Sequence, residues 1–179
     1  MDGCPSKECV GVCVQQLLDE QGYCTGFYLF FNIIAAYYKF VFFGILIYMS
    51  TYNWYQALIR PEWAPPAWLF GPVWSVLYTI IAISFGYVFY LYFKGAVPFI
   101  VILPFILNLI FNAAFTPLQF GLQNNLLASI DIILVLVTLL WALYAIFPYV
   151  PLVAYVNIPY ALWVSFASVL QLTITYLNL

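Results

Sequence analysis

No charged side chain occurs between Glu62 and Lys94, and from Gly95 to Leu179 there is one, Asp131. Soluble domains carry roughly a quarter of their residues as Asp, Glu, Lys and Arg. Here 6% are charged and 67% hydrophobic, with a mean hydropathy of +1.05. A chain with this balance cannot cover its apolar surface against water, so lipid is the solvent for most of it. Its length of 179 residues allows one bundle rather than two domains.

Backbone polar groups must be satisfied inside lipid, which leaves only helices or a closed barrel. Barrel strands are segments of about 10 residues that alternate in and out. The run from Ser129 to Phe147 is apolar on every face and far longer. The fold class is therefore all-α, a polytopic bundle of five transmembrane helices. The spans run from about Phe27 to Met49, from Pro65-Pro66 to near Lys94, and from Val97 to Leu118. The fourth and fifth run from Leu126 to Phe147 and from Ala154 to Leu177. Residues 1–26 form a cysteine-containing tail, and residues 27–179 the membrane domain.

The chain has no histidine, which excludes a His-based triad, a His metal site and proximal-His haem ligation. Cys4, Cys9, Cys13 and Cys24 lack the paired short knuckles of a common zinc site, so no metal is expected. Asp2, Glu8, Asp19 and Glu20 stand where a signal peptide would be basic. Lys7, Lys39, Arg60 and Lys94 are scattered, so nucleic acid is not an expected partner.

One inter-span segment is long and chemically rich. From Ser50 to Pro66 it carries Trp54, Tyr55, Arg60, Glu62 and Trp63, and it is the natural lid over any site. Trp54 and Trp63 suit an interfacial aromatic belt. Trp74 lies deeper, after Gly71-Pro72, and a proline inside a helix opens the packing beside it. Cavity wall and plain bundle packing both remain open for Trp74.

Three polar features inside spans need partners. Asn108 and Asn112 share one helix face at i, i+4, fit for interhelical hydrogen bonds or for a ligand. Asp131 must be paired, protonated or close to water, and Arg60 or a first-loop amide is the expected partner. Lys39 sits roughly 16 Å of helix from either end of the first span. A cation there costs about 2.5–3.5 kcal/mol on insertion scales. Either its stem snorkels, or it faces the interior and meets an anion.

Trp54, Tyr55, Leu58, Arg60, Pro61, Trp63, Pro65, Pro66, Gly71 and Trp74 together resemble the signature of the TspO/MBR family. Three later segments agree in order and spacing. They carry Asn108, Asn112, Pro117 and Gly121; then Asp131; then Pro159, Tyr160, Trp163, Phe166, Ala167 and Leu170. The resemblance covers about Trp54 to Asn178. It implies a five-helix bundle, commonly a homodimer, in a bacterial membrane or the mitochondrial outer membrane.

The resemblance further implies a receptor or sensor that binds porphyrins and related apolar ligands, with no cofactor required. The ligand-binding residues would be Trp54, Tyr55, Trp74, Asn108, Asn112, Phe115, Trp163, Ala167 and Leu170. Arg60 and Asp131 would be charge contacts; Lys39, outside the matching stretch, is a further candidate from its depth in the span, meeting a buried carboxylate or a ligand propionate. Two alternatives follow from the same family: light- and oxygen-dependent porphyrin breakdown through Trp74 and Trp163, or transport of porphyrin or lipid. Phe115 stands where animal members often have tryptophan. No Lys or Arg follows Tyr176, so the proposed C-terminal cholesterol motif is absent.

Overall fold

The computed structural model describes residues 54–55 and 57–179. The expected first span with Lys39, and the cysteine tail, lie outside the described residues. Among those residues there is no strand, and four helical segments are long and apolar enough to cross a membrane.

The second span opens with a 3-10 turn, Ala67–Leu69, which Pro66 enters in an extended conformation. It continues as α1, Phe70–Phe93. Pro72 therefore falls in the first turn, where a missing N–H costs nothing. There it costs α1 no hydrogen bond, unlike the interior position expected from the sequence. Ser75, Thr79 and Ser84 donate their hydroxyls to the carbonyls of Gly71, Ser75 and Ile80, at 2.9, 2.9 and 2.7 Å. A serine or threonine in lipid can satisfy itself this way.

α1 ends in a Schellman motif. The Gly95 N–H donates to Tyr92 O at 2.8 Å and the Ala96 N–H to Leu91 O at 2.9 Å. Gly95 has φ +71, and glycine takes that left-handed conformation without a Cβ penalty. Pro98 then starts α2, Phe99–Thr116.

A π-turn, Pro117–Gly121, carries the third span past its expected end at Leu118 and buries Gln119. α3, Asn125–Ile146, begins at Asn124, whose side chain accepts the Leu127 N–H at 3.0 Å as an N-cap. Among the described helices α2 packs most extensively on α3, and α5 also packs on α3.

The fifth span departs from expectation at its start. Residues expected to begin it at Ala154 belong to a separate short helix, α4, Pro151–Val156, and α5 runs Ile158–Leu177. Pro159 has no N–H for the preceding turn, so the helix cannot run through. The buried Asn157 fills the break, donating from Nδ2 to Val153 O at 2.8 Å and to Ser84 Oγ at 2.9 Å. One core of Leu77, Ile81, Phe85, Phe105, Leu139 and Val164 joins α1, α2, α3 and α5. A smaller cluster of Tyr55, Leu170 and Ile174 sits where the first loop meets α5.

Candidate functional site: an aromatic cavity under the first loop

Where the first loop crosses the ends of α1, α2 and α5, the bundle leaves a cavity of about 90 Å³. Its walls are largely aromatic: Tyr55 from the loop, Phe70 and Trp74 from α1, Phe115 from α2 and Phe120 from the π-turn. Ile132, Ala167, Leu170 and Ile174 complete the apolar lining, and Gln119 and Gln171 supply its polar end. The described lining holds no carboxylate, amine, thiol or imidazole.

The indole of Trp74 lies 5.2 Å, centroid to centroid, from the Tyr78 ring and meets Tyr160 edge-on at 6.4 Å. Such contacts hold a large flat side chain in one orientation. Phe70 meets Trp163 edge-on at 5.8 Å, and Trp163 leans on Phe166 at 5.6 Å. Trp163 belongs to the wall between the cavity and an outer groove. That groove, about 560 Å³ and lined by Pro72, Val73, Val76, Leu162 and Phe166 among others, runs between α1 and α5.

The sequence-derived site residues separate into layers. Tyr55, Trp74, Phe115, Ala167 and Leu170 converge on the cavity, while Trp163 faces the groove. Trp54 packs in the loop cluster with Tyr55 and Leu170. Asn108 and Asn112 are buried and bound to other helices. The Asn108 amide donates to Val135 O at 2.9 Å and to Thr138 Oγ1 at 3.3 Å. Asn112 donates to the Tyr160 hydroxyl at 2.7 Å, and that hydroxyl donates to Asn108 Oδ1 at 3.1 Å.

The expected Asp131–Arg60 ion pair is not formed. The Arg60 guanidinium sits over the Tyr55 ring, 5.7 Å from its centroid, a cation–π contact at the cavity roof. Asp131 occupies the helix stripe of Val135 and Thr138, one turn before Val135, and is buried. Its Oδ2 and the Trp163 Nε1 are the two buried side-chain polar atoms among the described residues without a hydrogen-bond partner. The loop keeps the guanidinium over an aromatic face instead of sending it to a carboxylate inside α3.

Neither Gln119 nor Gln171 is among the residues expected at the site from the sequence. Gln171 Nε2 donates to Gln119 Oε1 at 3.0 Å, and Gln119 Nε2 donates to Asn125 Oδ1 at 3.2 Å. Thr175 Oγ1 donates to Asn125 O at 3.0 Å and lies 2.6 Å from Ser129 Oγ. This network pins the π-turn to α3 and α5 and forms the polar end of the cavity. Its signal was available: Gln171 and Thr175 stand at i, i+4, and Gln171 is the one amide within the α5 span.

The sequence profile of the TspO/MBR family matches residues 30–177. The chain is 38% identical over 126 residues to the tryptophan-rich protein TspO of Bacillus cereus, covering 70% of this chain and 81% of that protein. It is 36% identical over 128 residues to the uncharacterized membrane protein YtaB of Bacillus subtilis, at 71% and 81% coverage. It is also 33% identical over 124 residues to the human translocator protein, covering 66% of this chain and 71% of that one.

Proposed function

Because the chain belongs to the TspO/MBR family and is an integral membrane protein, we propose that it is a receptor that binds porphyrins and related apolar ligands in the cavity under the first loop. The observation that carries this reading is the lining itself: five aromatic side chains around an apolar chamber, with two amides at one end. A tetrapyrrole is a broad apolar disc with a few polar groups at its edge, and flat aromatic faces bury such a surface well. The absence of acid and base groups from the described lining favours binding over hydrolytic chemistry. A second copy of the chain is the proposed partner, as a homodimer.

A second reading is light- and oxygen-dependent breakdown of the bound porphyrin. It draws on the placement of Trp74 at the cavity with Tyr78 and Tyr160 in ring contact behind it. Illumination of the purified protein with protoporphyrin separates the two. A protein-dependent bilin-like product supports breakdown, and a stable complex without conversion supports binding alone.

Binding has a direct optical readout. Protoporphyrin is expected to quench tryptophan emission at micromolar concentration, with Trp74 and Trp163 contributing most. In the Trp74→Phe, Trp163→Phe protein the quenching should fall sharply; Trp74 lines the cavity while Trp163 backs it through Phe70, so the affinity should drop by about twofold to tenfold, one aromatic contact being worth roughly 0.5–1.5 kcal/mol. Quenching as complete as in the unmodified protein would exclude these two residues from the site.

A further inference from the structure

The cavity is small for such a ligand. Ligand pockets for drug-sized molecules run to about 300–1,000 Å³, against about 90 Å³ here. A tetrapyrrole can enter only if part of the wall moves. Among the described lining residues, Tyr55 alone reaches the cavity from the first loop and forms its roof; the others belong to helices of the bundle and the π-turn.

That roof packs on α5 through the Trp63–Phe166 ring contact and the Tyr55 cluster, and it is hydrogen-bonded to the last turn of α5 through Asn178. The Asn178 side chain reads the Ile59 peptide from both sides. Its Oδ1 accepts the Ile59 N–H at 3.0 Å, and its Nδ2 donates to Ile59 O at 2.8 Å. The same Nδ2 donates to Ile174 O at 2.8 Å, which anchors the amide to the last turn of α5. Ile174 itself lines the cavity. Ile59 is exposed and the pairing lies at the surface, so beyond capping the end of α5 the amide serves the loop rather than the core. Leu58 and Ala64, on either side of the clamped peptide, rest on the cluster of Tyr55, Leu170 and Ile174.

We propose that Asn178 is a positioning residue that latches the first loop shut over the cavity, so that ligand uptake requires the Asn178–Ile59 amide pair to open. The inference rests on the ligand-binding reading of the cavity, and it has a consequence that simple damage to the fold would not produce. A protein whose binding-competent state is scarce binds with an affinity reduced by that scarcity, and releasing the latch removes the penalty.

In Asn178→Ala, protoporphyrin should associate about fivefold to tenfold faster and bind correspondingly tighter, the worth of about one net hydrogen bond. Asn178→Asp keeps the acceptor for the Ile59 N–H but loses the donor to Ile59 O, and should fall between the two. Hydrogen exchange at the Ile59 amide, measured without ligand in lipid nanodiscs, should accelerate by a similar factor in Asn178→Ala. Amides of α2 and α3 should be unaffected. Unchanged exchange at Ile59 overturns the latch. Faster exchange with unchanged or slower association overturns its role in uptake. If the unmodified protein takes up no porphyrin, the ligand reading falls, and Ile59 exchange alone decides whether the latch exists.

Discussion

Replacing Tyr160 by alanine is expected to cost the bundle about 3–5 kcal/mol, the largest effect of any single substitution here. The side chain is fully buried, lies edge-on to Trp74 and bonds both Asn108 and Asn112. Two terms contribute, and they can be separated. Hydrogen bonds between membrane helices average about 0.6 kcal/mol, because helices apart in lipid also find partners. Tyr160→Phe, which removes only the hydroxyl, should therefore cost about 1–2 kcal/mol for the two bonds it breaks. The larger share is the void left by the ring. Reversible unfolding in mixed micelles measures both. Equal losses in the two variants would mean that the amide triad, and not ring packing, dominates.

Ala167→Phe is expected to abolish porphyrin binding, by at least about a hundredfold, while changing stability by no more than about 1–2 kcal/mol. Ala167 presents a methyl group to the cavity, and a benzyl group there occupies most of about 90 Å³. Filling an existing space avoids the strain of overpacking, so folding and binding should part company. Titration by tryptophan quenching, alongside unfolding of the same preparation, checks this. Binding within a few-fold of the unmodified protein would place the ligand elsewhere, with the outer groove by Trp163 the next site to test.

The helical architecture was legible because it depends on length, hydropathy and turn residues. The prolines before Ala67 and the expected ends near Lys94, Leu126 and Phe147 are boundaries that the structure moves by only a few residues. Pro159 marked the break before α5, but that Asn157 fills it was not legible, because its buried Ser84 partner lies 73 positions away. Among site residues, Trp74 and Tyr55 stood out through an unusual residue type in a recognisable pattern. Phe70, Phe120, Ile132 and Ile174 could not stand out. A phenylalanine that faces a cavity and one that faces the next helix look alike in an apolar span. Asn178 was invisible for another reason: its partner is a backbone peptide, and any residue at position 59 could offer that.

The hydroxyls that bond back to their own helix bear on biogenesis. α1 leaves the ribosome with Ser75, Thr79 and Ser84 already satisfied within its own turns. It can pass from the translocon into the bilayer by itself. α2 cannot do so on the same terms, since Asn108 is satisfied by Val135 and Thr138 of α3, and Asn112 by Tyr160 of α5. α3 in turn carries Asp131. The third and fourth spans are therefore expected to partition into lipid as a preformed hairpin across the short Leu122–Asn124 turn. Glycosylation mapping of the third span, with and without the fourth behind it, should show efficient integration only for the pair.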